Sequence, residues 1–436
     1  MASIWSETVS LPRFAALDRD LKTDVLIIGG GIAGLLCAHA LREAGADYAL
    51  VEADRICGGV TKNTTAKITS QHGAIFHRML RRYGADLTGR YLGANEVALR
   101  KYRDLCGSVD CDFEERDAYV YSRTDRDLLA REYEALKKVG YPAEWAETTS
   151  LPFSVVGAIR FPRQAQFHPL KFLGAIAKDL RVFEETKVRE LRGMTAVTER
   201  FEIRAKKIIV ATHFPFLNKH GLYFLKMHQH RSYVIALENA DPVDGMYIDA
   251  AQNGLSFRTA GDLLLLGGGG HRTGKTGGGW RELEAFAKRK YPNAAISYRW
   301  ATQDCVTLDD IPYIGRYSPT TPDLLVATGF GKWGMTTAMV AADVLADLVA
   351  GRENPYTKLF LPSRSVLHPQ LAINAGEATV DLLRPTAPRC PHLGCALRWN
   401  ADERSWDCPC HGSRFSEDGN LIDNPATADL DLHSPR

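Results

Sequence analysis

At 436 residues the chain is too long for one compact core and divides most naturally into two or three domains. Its 45% hydrophobic and 24% charged residues are ordinary for a globular protein, and a formal net charge of +2 gives no electrostatic basis for binding nucleic acid or an anionic membrane. No run approaches the roughly 18 to 20 apolar residues of a membrane span, and MASIWSETVSLPRF lacks the basic stretch and apolar run of a secretory signal, so a cytoplasmic protein is expected. The cysteines are unevenly placed. Cys37, Cys57, Cys106, Cys111 and Cys305 are scattered, whereas Cys390, Cys395, Cys408 and Cys410 crowd near the end. In a cytoplasmic chain such a cluster is more often a metal site than a disulfide framework.

Asp24 to Ile28 (DVLII) reads as a buried parallel strand. It runs into Gly29-Gly30-Gly31-Ile32-Ala33-Gly34, then into a helical pattern ended by Gly45, then into a second strand, Tyr48 to Val51, that stops at Glu52. The order strand, glycine turn, helix, strand and acidic residue is that of a dinucleotide site. Gly29 permits the tight turn, Gly31 lets the backbone approach a pyrophosphate, and Gly34 lets helix and strand pack closely. Glu52 stands where a carboxylate accepts hydrogen bonds from ribose hydroxyls. The small, polar, glycine-containing residues from Ala53 to Gly73 suit the longer FAD, whose ribityl and pyrophosphate need further backbone contacts.

From about 80 to 150 helical patterns dominate, with Phe113 to Ser122 as a candidate strand. Lys206 to Val210 (KKIIV) followed by Ala211-Thr212 reads as a strand ending at a small-residue turn. Strand-like runs (SYVIAL, LLLLGG) recur between about 225 and 300. Arg258, after the likely strand GLSFR, is a candidate clamp for a substrate carboxylate. His271 and His230 are candidate acid–base groups. Gly269 to Thr276 matches a P-loop pattern, but Gly277-Gly278-Gly279 follow where a helix should open, so a loop after a strand is expected instead. Thr307 to Gly315 (TLDDIPYIG) and Leu324 to Ala338 (LLVATGFGKWGMTTA) complete the body, and three glycines in the latter imply close backbone approach to something.

These segments together resemble the FAD-dependent oxidoreductases of the D-amino-acid oxidase and glycine oxidase type. The resemblance implies FAD as cofactor, with Gly329, Gly331, Gly334 and Met335 lining its site and Asp309 close to it. Lys332 then falls in the flavin-closing turn as a third catalytic candidate beside Arg258 and His271, and Trp333 packs under the cofactor. The implied architecture is an α/β Rossmann-like FAD-binding domain (20–80, 150–225 and 300–362) with an interleaved α+β substrate domain (81–149 and 226–299).

The end of the chain carries Cys390-Pro391-His392-Leu393-Gly394-Cys395 and Cys408-Pro409-Cys410-His411-Gly412-Ser413. Read as metal ligands, Cys390, His392, Cys408 and His411 offer two thiolates for one iron and two imidazoles for the other of a [2Fe–2S] centre. Two Cys and two His also suit tetrahedral zinc. Against zinc stand the tight Cys-x-His spacing, the equivalent placement of Cys395 and Cys410, and the Gly-Ser after His411. The pattern resembles the CxHLGC…CPCHGS signature of Rieske proteins, which implies a small all-β domain over 370–436 and a Cys395–Cys410 disulfide. It also implies a Ser413 hydroxyl directed at the cluster, and a potential lowered because Phe415 replaces a tyrosine donor. Only about 30 residues separate Leu361-Pro362 from Cys390, with little strand character in AINAGEATVDL, so an abbreviated base is expected.

The expected activity is FAD-dependent oxidation of a small amine, amino-acid or hydroxy-acid-like substrate, with electrons leaving singly through the cluster to a partner protein. The alternative is a redox sensor or electron-transfer flavoprotein with no substrate of its own. Electron entry from a nicotinamide is disfavoured by the lack of a second GxGxxG motif. Self-contained oxygenation is disfavoured by the lack of a pattern for a two-histidine, one-carboxylate iron site.

Overall fold

The computed structural model describes residues 2–364 and 388–432. Its first sheet is built on the strand Leu21–Ile28, which pairs in parallel with Tyr48–Val51 on one side and Glu202–Val210 on the other. Thr321–Thr328 extends this parallel core, Tyr313–Ser318 adds an antiparallel edge, and Val182–Phe183 closes the opposite edge. Val25 to Ile28 are all buried, as a strand covered on both faces requires. The helices Ile32–Glu43 and Gly334–Val349 pack together over this sheet, and the second is apolar nearly all round because it lies inside the core.

A nine-stranded mixed sheet faces the first. Its order runs Ala295–Thr307, Met227–Glu238, Leu263–Arg272, Ser256–Ala260, Met246–Asp249, Glu114–Ser122, Gly157–Gln166 and Lys67–Ile68, with Glu144–Ala146 alongside Gly157–Gln166. The expected strand near 113–122 is therefore present. Two strands fall on the other side of the boundaries drawn from sequence. Gly157–Gln166 and Ala295–Thr307, assigned mainly to flavin-binding segments, are hydrogen-bonded into the second sheet. The cause is continuity: Ala295–Thr307 runs unbroken for 13 residues through position 300, and no turn marks a change of sheet until Leu308.

The third part is a four-stranded antiparallel sheet, Arg398–Asn400, Ser405–Asp407, Arg414–Ser416 and Leu421–Asp423, with an isolated bridge between Arg389 and Ala396. The segment AINAGEATVDL lies outside the described residues. Among the described residues no helix is long and apolar enough to cross a membrane.

The glycine-rich stretch after LLLL has a structural task. Leu263–Arg272 continues as a strand through the first four of its eight positions, and the next helix, Gly279–Lys290, starts well after Lys275. Gly274, with φ +73°, sits so close to the C-terminal part that a Cβ there would lie 2.5 Å from Pro409 N. The glycines thus make room for the small sheet.

A buried ion network fastens that seam. Arg231 Nε donates to Glu403 Oε1 at 3.0 Å, and Arg414 donates to Glu403 Oε2, Asp407 Oδ1 and Asp423 Oδ2 at 2.8, 3.0 and 3.0 Å. Burial opposes the Glu403 charge, but Arg231 and Arg414 outweigh it and hold its carboxyl below the usual range. Glu403→Gln leaves buried Arg231 without its carboxylate and is expected to cost about 3–5 kcal/mol, read as a lowered Tm. Because the folded pKa is depressed, this stabilisation is complete above the unfolded glutamate value, about 4.3, and is lost as pH falls through the folded one. Acid titration of thermal stability should therefore show a steeper decline below about pH 4.3 in the wild type than in Glu403→Gln.

Candidate functional site

The Leu21–Ile28 strand ends at a cavity of about 930 Å³ between the two large sheets. Gly29 N donates to Val51 O and Ala211 N to Ile28 O, both at 2.8 Å, so three strand ends converge on the glycine turn. Gly29 has φ +111°, and a Cβ on it would lie 2.6 Å from Ala211 O. A Cβ on Gly34 would collide with Gly29 O, so helix and turn touch through bare backbone. Gly31, which lines the cavity with Gly29, is less crowded: its nearest would-be neighbour is Thr61 Oγ1 at 3.3 Å. The helix Ile32–Glu43 opens there without a side-chain cap of its own, and Thr61 Oγ1 accepts from Ile32 N at 3.1 Å. A cleft cleared of side chains at a helix N-terminus fits a pyrophosphate.

Glu52 lines the same cavity. Its Oε2 accepts from Gly30 N at 2.6 Å and its Oε1 from Asp54 N at 3.0 Å. Burial raises its carboxyl pKa, against the pull of these N–H groups. Gly329, Gly331, Gly334 and Met335 form part of the cavity wall, as expected, and Trp333 stacks on His72 with centroids 4.8 Å apart.

Two expected site residues, Arg258 and His271, are outside the cavity lining, and Asp309 borders the adjoining cavity. The Asp309 carboxylate accepts from Arg364 Nε and a terminal nitrogen at 2.7 and 2.8 Å and from Tyr83 OH at 3.0 Å. A buried guanidinium needs such a partner, and Asp309 supplies it at the edge of a neighbouring cavity of about 400 Å³. Arg258 does not reach the main cavity, because its guanidinium is buried and donates to Thr65 O and Ala66 O, both at 2.8 Å. Both bonds leave from Nη1, and Nε donates to Thr259 O at 3.3 Å. His271 turns toward the small sheet, sharing a 2.9 Å hydrogen bond with Tyr233 OH, which donates onward to Glu403.

Lys332 is in the cavity wall, in the left-handed region at φ +75°. It is joined there by His228, His230 and Asp304. Burial lowers the Lys332 pKa, partly opposed by Asp304. Burial, reinforced by the positive charges of Arg272 and Lys332, pushes His228 down to about 4, and burial with Lys332 pushes His230 down to about 3, so both rings are neutral at pH 7. His228 and Asp304 escaped the sequence reading. The signal for His228 was the HQH spacing, which in a strand puts His228 and His230 on one face.

The second site is in the small sheet. The four expected ligands, Cys390, His392, Cys408 and His411, are all buried, so the site is sheltered from solvent. Cys395 and Cys410 form the expected disulfide. His392 Nε2 donates to Asn218 Oδ1 of the body at 2.7 Å, which leaves Nδ1 with its lone pair free. His392 Nδ1 and His411 Nδ1 are both buried without a hydrogen-bond partner among the described residues. Two orphaned imidazole nitrogens beside two thiols are the donor set that a [2Fe–2S] centre of Rieske type requires. Ser413 hydrogen-bonds the Cys390 sulfur, and Phe415 is fully buried among the ligands. Leu421, Ile422, Asp423, Asn424, Ala426 and Thr427 of this sheet also line the main cavity.

Comparison with known proteins agrees with this geometry. The family model of FAD-dependent oxidoreductases matches residues 24–348, and that of the Rieske [2Fe-2S] domain matches 364–434. The chain is 34% identical to the putative Rieske 2Fe-2S iron-sulfur protein YhfW of Bacillus subtilis, over 98% of this chain and 96% of the relative. It is 24% identical to gamma-glutamylputrescine oxidoreductase of Escherichia coli, over 78% of this chain and 86% of the relative. In fold it is similar to glycine oxidase from Geobacillus kaustophilus, with a TM-score of 0.67 at 19% identity, covering 79% of this chain and 99% of that one.

Gly34→Ala, which forces the turn off its helix, is expected to cost about 1–3 kcal/mol and to lower the FAD content of purified protein, read from its visible spectrum. Phe415→Tyr places a donor among the cluster ligands. One added hydrogen bond of about 1 kcal/mol should raise the cluster potential by about 40 mV, measured by an EPR-monitored redox titration.

Proposed function

The chain belongs to the FAD-dependent oxidoreductases and carries a C-terminal Rieske [2Fe–2S] domain, and from that premise we propose that this enzyme oxidises a small amine, amino-acid or hydroxy-acid-like substrate and passes the electrons through the cluster to a one-electron acceptor protein. FAD supplies a two-electron acceptor for the substrate C–H hydrogen, and the cluster supplies a one-electron carrier. The observation that carries the reading is a shared wall. Met227–Glu238 and Ala295–Thr307 put His228, His230 and Asp304 into the cavity, while Gln229 and Gln303 bond to the ligand loop of the small sheet.

Gly29, Gly31, Gly34 and Glu52 hold the dinucleotide end of the cofactor in this reading, and Gly329 to Met335 close over it. Cys390 and Cys408 hold one iron, His392 and His411 the other. Lys332, His228, His230 and Asp304 surround the substrate. Neutral His228 or His230 accepts the proton from a substrate amine or hydroxyl, and Lys332 holds an electron-rich substrate atom in place. Arg258 and His271 take no part in it, since neither lines the cavity: Arg258 Nη1 donates to Thr65 O and Ala66 O, and His271 bonds to Tyr233 OH. A cytoplasmic location is part of the proposal, supported by five free, buried body cysteines.

Anaerobic mixing with a panel of amines, amino acids and 2-hydroxy acids tests it. At least one should bleach the flavin band and bring up a Rieske-type EPR signal. Lys332→Met is expected to slow the bleaching about 10²-fold while leaving the dithionite-reduced EPR spectrum unchanged. Bleaching by none of the panel would favour a redox sensor without its own substrate.

A further inference from the structure

The strands Met227–Glu238 and Ala295–Thr307 form a wall that borders the cavity and also bonds to the loop carrying His411. Along Met227–Glu238 the side chains alternate. His228 and His230 line the cavity with Lys332, whereas Gln229, Arg231 and Tyr233 hydrogen-bond to the small sheet, Gln229 and Tyr233 while also bordering the cavity. Along the neighbouring strand Asp304 is on the cavity side, whereas Gln303 bonds to the small sheet.

Two buried glutamines make the contact. Gln229 Nε2 donates to His411 O at 3.1 Å and to Asn424 O at 2.7 Å. Gln303 Nε2 donates to Gly412 O at 2.9 Å and to Gln229 Oε1 at 2.5 Å, and Gln303 Oε1 accepts from Thr273 Oγ1 at 2.8 Å. The amide groups are thus fully engaged, two of their bonds going to the backbone of His411 and Gly412. Gly412, at φ +89°, fits because it lacks a side chain: a Cβ there would lie 2.5 Å from Gln229 Cβ. A satisfied buried polar network fixes one geometry, where apolar packing tolerates sliding. The ion network of Arg231 and Glu403 already fastens the seam, so two further desolvated amides aimed at one ligand loop point to placement of that loop.

We propose that Gln229 and Gln303 are positioning residues that hold the His411 loop in fixed register across this wall, and that this placement sets the rate at which electrons cross it. The inference rests on the reading that the two cofactors exchange electrons. The step served is transfer of one electron from reduced FAD, oxidised by one electron, to the oxidised cluster, reduced by one, with no protein bond made or broken.

The test uses the holoprotein and its Gln229→Met and Gln303→Met variants, which keep side-chain volume and remove the donors. A laser flash with EDTA as sacrificial electron donor reduces the flavin, and cluster reduction is followed in the visible spectrum. FAD content, the EPR spectrum and the cluster potential are measured on the same samples. Both variants should retain both cofactors and an unchanged potential, with cluster reduction slowed about tenfold or more. If Gln229→Met fails to hold its cluster, Gln303→Met decides, since it leaves the Gln229 bond to His411 in place. Wild-type rates in the variants that hold a cluster, or slowing matched by an equal shift in potential, would overturn the inference. A wild type whose cluster stays oxidised after the flash would instead sink the electron-exchange reading, with the glutamines having played no part.

Discussion

Period-two alternation along a pair of strands is the constraint on which this molecule depends. A strand presents successive side chains to opposite faces, so a single layer can serve two compartments only if its sequence alternates between two chemistries. Met227–Glu238 does this in part: His228, His230 and Ser232 line the cavity, Arg231 bonds to the small sheet, and Gln229 and Tyr233 do both. A slip of one residue would send the histidines into the seam and the ion-pairing arginine into the cavity. Register is held by twelve cross-strand partners in the pairing with Ala295–Thr307, in which His230 faces Asp304 and Arg231 faces Gln303.

The dinucleotide turn meets a different demand, close approach. Bare backbone contact at Gly29 and Gly34 brings three strand ends and a helix N-terminus together, and Gly31 leaves the resulting space open. Such a motif is local, so every part of it was legible in the chain: strand, glycines, helix and Glu52 follow one another within about 30 residues. The cluster loops were legible for the same reason. Two short loops carry all four candidate ligands and the disulfide, and the orphaned imidazole nitrogens fit the chemistry read from their spacing.

What the chain did not disclose depends on distant partners. Asp309 stands beside the main cavity, and the local sequence does not disclose that Arg364, 55 residues away, pairs with its carboxylate. Nor does it disclose that the carbonyls of Thr65 and Ala66 accept from Arg258 Nη1. His271 and the glycine-rich run beside it lie at a seam with a part of the chain more than 100 residues downstream, a relation that no local pattern encodes. The sheet to which Gly157–Gln166 and Ala295–Thr307 belong was hidden for a related reason. A strand joins a sheet by its edges, and the identity of its neighbours is not written in its own hydrophobic pattern.

The main cavity takes part of its wall from Leu421, Ile422, Asn424 and Thr427, at the far end of the chain. A ligand that touches both the body and this late segment binds the docked arrangement more tightly than an undocked one, so it holds the segment down. By reciprocity, whatever stabilises the small sheet slows escape of that ligand. Occupancy of the main cavity and docking of the small sheet are therefore coupled. The tail is thus the last panel of the first compartment as well as the housing of the second, and grafting a foreign tail onto this body would leave that compartment unfinished.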